Sequence, residues 1–267
     1  MLRSVLLKSL RDVRRSFAWW SLGLAGYVAL IAAVYPTIRD NADLKELVDS
    51  YPEALKAFIA FGGQLDFTSA AGYLGSELFS FMIPALFLVA SVGNGAGTIA
   101  GEEERGTLDL LLSAPLSRTR IAVEKLGAMC VEVAGLGLVL WLSLWIGARA
   151  FGLELSAGHL GAAVAVLVVL AAAYGSIAFM LAAATGRRTL AIGATVALAV
   201  GAYLVNSLAS LVEALEPLQK VSPFYHYAAG DPLRQGLPAW HMLFLLAVGA
   251  AAAAVGVVLF ARRDVGS

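Results

Sequence analysis

Residues 155–186 read LSAGHLGAAVAVLVVLAAAYGSIAFMLAAATG, thirty-two residues without one Asp, Glu, Lys or Arg. A helix crossing the hydrocarbon core of a bilayer needs about 20 apolar residues, because lipid offers no partner to a backbone amide and the helix satisfies its own. This stretch is longer than that minimum, and the chain repeats the pattern on both sides of it. Charge-free gaps lie at 17–35, 78–101, 189–212 and 235–261, and another at 126–148 is interrupted only by Glu132. They predict six transmembrane helices at about 17–36, 76–100, 124–148, 159–185, 189–211 and 239–261, within one membrane domain covering 1–267. The whole chain is 60% hydrophobic and 14% charged, with a mean hydropathy of +0.79. A soluble fold of this size lacks the polar surface to cover so much apolar area, so the fold class is an all-α integral membrane protein.

Orientation follows from the basic residues, which favour the cytoplasmic side. With the N-terminus inside, thirteen Lys and Arg fall on inner segments and six on outer ones. Both termini are therefore expected in the cytoplasm. Residues 2–16 place Leu2, Val5, Leu6, Leu10 and Val13 near helical spacing, with Lys8, Arg11, Arg14 and Arg15 mostly elsewhere around the wheel. That is the pattern of an amphipathic interfacial helix, apolar face in the lipid and basic face toward anionic headgroups. It serves either to anchor the first span or to dock a partner. The apolar run that follows is longer than a signal peptide's and ends at Tyr35-Pro36 without a small-x-small cleavage site, so it reads as a retained first span.

Basic and acidic residues balance at nineteen each, which excludes a general nucleic-acid binder. The lone Cys130 excludes an intramolecular disulfide framework and any CxxC metal or redox site. The outer segment at 36–72 has the pattern of one or two short amphipathic helices broken near Pro52. The outer stretch SPFYHY at Ser222–Tyr227, set among prolines, predicts a short interfacial or re-entrant element. His159, His226 and His241 all fall at outer edges, and no His-Glu-x-x-His or Gly-x-Ser-x-Gly is present. None of the five lysines follows a glycine, so the chain carries no Walker A loop and is expected not to be an enzyme.

Between the second and third gaps lies GEEERGTLDLLLSAPLSRTRIAVEK, residues 101–125. Leu108, Leu111 and Leu112 stand at i, i+3, i+4, so Thr107 to about Ser113 can form a short amphipathic helix that Pro115 ends, with Ser117 placed to cap the next. Glu102, Glu103 and Glu104 cluster where the second span leaves the membrane. Read as Glu-x-x-x-Gly-Thr-Leu-Asp-x-Leu-Leu-x-x-Pro-Leu-Ser-Arg from Glu102 to Arg118, the segment resembles the signature of bacterial ABC-2 type transporter permeases. The six spans, basic N-terminal helix, SPFYHY element and terminal Arg-Arg-Asp-Val are similar to that family over essentially the whole chain. Within it, the closer likeness is to the permease of nitrous-oxide-reductase maturation systems.

The resemblance implies a bacterial inner-membrane, multi-pass subunit that moves a lipid, drug or other amphiphile, paired with a second permease chain and two copies of an ATPase subunit. ATP and Mg would be bound on that partner, with no cofactor or metal on this chain. It also implies that 101–118 is a cytoplasmic coupling helix seated in the ATPase, with Glu102, Glu103, Gly106, Thr107, Leu108, Leu111, Leu112 and Pro115 at the interface. Two further acids stand apart. Glu132 lies about two turns into the third span and Glu77 at the outer start of the second, and an ionised carboxylate facing lipid costs several kcal/mol. Each is a candidate for the translocation path, or else a structural acid that snorkels or bonds a neighbour. An ion-coupled carrier or channel using Glu132 and Glu77 is the competing reading. The Gly93-x-x-x-Gly97-x-x-x-Gly101 spacing predicts a close helix-packing seam.

Overall fold

A computed structural model describes residues 5–39, 41, 50–52, 69–107, 116–209 and 212–263. Within them the chain forms α1 (Val5–Arg39), α2 (Ala70–Leu74), a π-helical turn (Gly75–Phe79), α3 (Met82–Gly97), α4 (Ala100–Glu104), α5 (Arg118–Phe151), α6 (Ala157–Thr185) and α7 (Arg188–Leu208). A 3-10 turn (Glu213–Leu215) then leads to the short α8 (Glu216–Gln219), α9 (Pro223–Ala228) and α10 (Pro232–Gln235), before the long α11 (Ala239–Arg262). Five helices are long and apolar enough to span a bilayer. A sixth span forms if α2 with its π turn is joined to α3 across a 41° bend.

The stretch that decides the fold sits at its centre. Helix α6 buries 61% of its apolar window and touches α3, α5, α7, α10 and α11. Serine caps set several of the boundaries. Ser69, Ser117, Ser156 and Ser222 each accept a backbone N–H of the first turn of α2, α5, α6 and α9. Helices α5 and α6 end on Gly152 (φ 69°) and Gly186 (φ 67°) in the left-handed region.

Three sequence expectations change in detail. Residues 5–16 of the expected interfacial helix and the first span form one unbroken helix, because no proline interrupts them before Pro36. Its 35 residues rise about 52 Å, so the basic first turns extend beyond a hydrocarbon core of about 30 Å. The helix runs parallel to α5, with Leu6 beside Gly127, Phe17 beside Gly135 and Ala32 beside Gly147. Glu124 of α5 closes its start, Oε2 accepting the N–H of Val5 at 2.7 Å and of Leu6 at 3.2 Å. Replacing Glu124 with Ala will remove that cap and cost about 1 kcal/mol, read as a lower melting temperature in detergent.

The second span is broken where it was expected to be continuous. Pro84 has no N–H to give the carbonyl of Ser80, and the helix restarts after Phe81, whose φ of −142° is non-helical. Beside the break, the Ser80 hydroxyl donates to the Ser76 carbonyl within the span, and buried Tyr227 of α9 donates to the Phe79 carbonyl at 2.8 Å from outside it. Changing Tyr227 to Phe will leave that carbonyl without its donor and cost about 1–2 kcal/mol, measurable by thermal unfolding.

The glycine seam lies one register away from the expected one. A Cβ on Gly93 would meet open space, and on Gly97 or Gly101 only arginine side chains. On Gly95 it would stand 2.2 Å from the Gly175 carbonyl oxygen of α6. The close crossing therefore runs through Ser91 and Gly95 against Gly175. The expected helix between Thr107 and Ser113 and most of the 36–72 segment lie outside the described residues. The SPFYHY element is α9, a short helix with Phe224, His226 and Tyr227 buried.

Candidate functional site

Helix α4 holds three consecutive glutamates, and each grips a different part of the bundle. Glu102 Oε1 lies 2.8 Å from Lys125 Nζ of α5, a lysine that is 6% exposed. Glu103 takes a bidentate grip from Arg263, just past α11, at 2.7 and 3.1 Å. Glu104 accepts the backbone N–H of Arg188, the first residue of α7, at 3.2 Å, where the positive end of that helix favours an acid. Arg118 donates to the Arg263 carbonyl and closes the set. One short helix thus ties together the ends of the second, third, fifth and sixth spans.

The same end of the bundle holds Gly106 and Thr107, the last described residues before the gap at 108–115. Gly106 is left-handed (φ 66°), which turns the chain back over α4. Thr107 Oγ1 donates to the carbonyl of Glu102 at 3.2 Å and to its carboxylate. Burial alone would raise the Glu102 carboxyl. The bonds from Lys125 and Thr107 outweigh it and hold the group at about 2. A lowered native value stabilises the fold fully above the usual carboxylate range near 4.5. The contribution is lost as pH falls toward about 2, so acid titration of the detergent-solubilised protein will show a destabilising step across that window that Glu102→Gln lacks.

Glu102, Glu103, Gly106 and Thr107 therefore stand together at one end of the bundle, whereas Leu108, Leu111, Leu112 and Pro115 lie outside the described residues. Glu132 is 5% exposed and its Oε2 accepts from Asn94 Nδ2 of α3 at 2.8 Å. It lines a cavity of about 450 Å³ that also meets Glu102, Lys125, Lys8, Arg105 and Arg188. Glu77 is elsewhere. It sits exposed in the π turn near the far end of the bundle, its backbone carbonyl accepting from the Tyr27 hydroxyl at 3.3 Å. Seventeen residues separate Glu77 from Asn94, a rise of roughly 25 Å, so the two acids do not share a site.

The grips of Arg188 and Arg263 were not read from the sequence, nor was Asn94. The available signal was charge matching at one depth: the acid triplet and the pairs Arg187-Arg188 and Arg262-Arg263 all fall at span ends on the same expected side. Asn94 is likewise the one amide in its charge-free gap.

The fold and this polar end define a multi-pass membrane protein with four of its spans fastened to one another through α4. The chain belongs to the ABC-2 family of transporter proteins, whose sequence profile matches residues 3–265. A 90-residue stretch, 33% of the chain, is 38% identical to the probable ABC transporter permease protein NosY of Stutzerimonas stutzeri, in line with the subgroup likeness seen in the sequence. The match spans 29% of that relative's length. The family is that of a membrane subunit and implies an ABC ATPase partner.

Proposed function

We propose that this chain is the permease of an ATP-binding cassette exporter in the bacterial inner membrane, with both termini in the cytoplasm and a second permease chain completing the path. Two ATPase subunits carry ATP and Mg and bind the segment 101–118, with Glu102, Glu103, Gly106, Thr107, Leu108, Leu111, Leu112 and Pro115 at the contact. The cargo is a lipid, drug or other amphiphile, and surrounding lipid is a further partner. The observation that carries this reading is the α4 hub. A push on residues 107–116 acts on Glu102, Glu103 and Glu104, and through Lys125, Arg263 and Arg188 it reaches three other spans. An ordinary solvated hairpin needs no such fastening. The distance between Glu132 and Glu77 argues against an ion-coupled carrier running from one to the other.

Purification of the tagged chain from its native membrane in mild detergent tests the proposal. A P-loop ATPase will co-purify, and changing Leu108 and Leu111 to Asp will abolish its recovery. Absence of any such ATPase after gentle crosslinking overturns the proposal.

A further inference from the structure

The cavity beside α4 carries an incomplete set of partners. Its floor is the Glu132 carboxyl, whose Oε2 is held by Asn94 while Oε1 is buried with no donor among the described residues. An acceptor left bare in a low-dielectric site is costly, and more so when it is charged. Asn94 has committed its amide nitrogen to Glu132, so its Oδ1 remains a second acceptor beside the carboxylate. Gly93 and Gly97 line the cavity without side chains, and a Cβ on Gly93 would touch nothing within 4 Å. The lining cations Lys8, Lys125, Arg105 and Arg188 come from the fastened end of the bundle. Lys125 stands seven residues from Glu132 along α5, about 10 Å, and is engaged with Glu102. The floor thus offers acceptors and negative charge, and the mouth sets four cations, Lys8, Lys125, Arg105 and Arg188, against the two acids Asp12 and Glu102.

We propose that this cavity binds a primary ammonium group, seated on Glu132 and Asn94 and entering from the α4 end. An ammonium brings three N–H donors and one positive charge; it meets Asn94 Oδ1 and the cavity side of the Glu132 carboxyl, and it reaches Oε1, which is covered in this arrangement, when the carboxyl turns. A ligand whose ammonium is followed by a phosphate matches the order of charges from floor to mouth. The group can belong to a zwitterionic lipid headgroup or to a free amine. The proposal deepens the permease reading by giving its cargo a recognised group, but it rests on the cavity alone.

Carbodiimide labelling of Glu132 tests it in the intact wild-type chain. The protein is reconstituted without any ATPase in phosphatidylcholine vesicles and treated with dicyclohexylcarbodiimide, and the remaining unmodified Glu132 peptide is quantified by mass spectrometry, so that carboxyl converted to an N-acylurea and carboxyl captured as an amide by an added amine both count as labelled. Octylamine, octanol, potassium chloride and added phosphatidylethanolamine are compared as protectants. Octylamine at ten times its dissociation constant will slow labelling about tenfold, by mass action, while octanol and potassium leave it unchanged. Protection by phosphatidylethanolamine as well assigns the group to a lipid headgroup, and protection by octylamine alone assigns it to a free amine. Equal protection by octanol or potassium, or protection by none of the four, overturns the proposal. Because no ATPase is present, the result stands or falls separately from the co-purification experiment.

Discussion

Glu102→Gln will destabilise the protein by about 3–5 kcal/mol, because it leaves Lys125 charged and buried with no carboxylate partner among the described residues. Lys125→Met will cost less, since Glu102 keeps Thr107 and has Arg105 at 3.7 Å. The double variant Glu102→Gln with Lys125→Met will recover most of the loss, because a neutral pair of similar volume leaves no charge to desolvate. Thermal unfolding of the four proteins in one detergent reads the cycle. A double variant as unstable as Glu102→Gln would show that the pair matters through shape and not through charge. The restored double variant will still couple poorly to an ATPase, because the ion pair that joins α4 to α5 is gone.

Gly95→Ala will cost about 3 kcal/mol or more, whereas Gly93→Ala, two residues away on the same helix, will be neutral or stabilising by up to about 1 kcal/mol. The contrast comes from the crossing. A methyl on Gly95 meets the Gly175 carbonyl oxygen at 2.2 Å, a backbone atom that cannot turn aside, so α3 and α6 must part. A methyl on Gly93 meets nothing, and alanine is the better helix former. Unfolding in detergent distinguishes the two. A larger loss for Gly93→Ala than for Gly95→Ala would mean that the crossing follows the Gly93, Gly97 and Gly101 stripe instead.

That pair of glycines also shows where sequence reading stops. The spans were legible because a charge-free run of twenty or more apolar residues is too costly to leave in water and long enough to cross a bilayer. The cap at Ser117 was legible because a serine before a periodic run has a local mechanism. The stripes Ser91-x-x-x-Gly95 and Gly93-x-x-x-Gly97 are both small-residue patterns on one helix, and which of them meets a neighbour depends on rotation about the helix axis, which local spacing does not encode. The Glu132–Asn94 bond and the grips on Glu103 and Glu104 needed the relative depth of helices far apart in the chain. The bend in the second span was written in Pro84, yet its compensation by Tyr227 comes from a helix 148 residues away. The family likeness supplied the expectation of an ATPase interface at 101–118, which composition and periodicity alone do not contain.

The measurement that bears most directly on the account is site-specific photocrosslinking in native membranes. A photoreactive residue is placed at Thr107 in one variant and at the exposed Leu218 of α8, at the opposite end of the bundle, in another. The Thr107 variant will form a covalent adduct with a P-loop ATPase, and the Leu218 variant will form none. An ATPase adduct at Leu218, or none at Thr107 while the chain is normally inserted, would contradict the account.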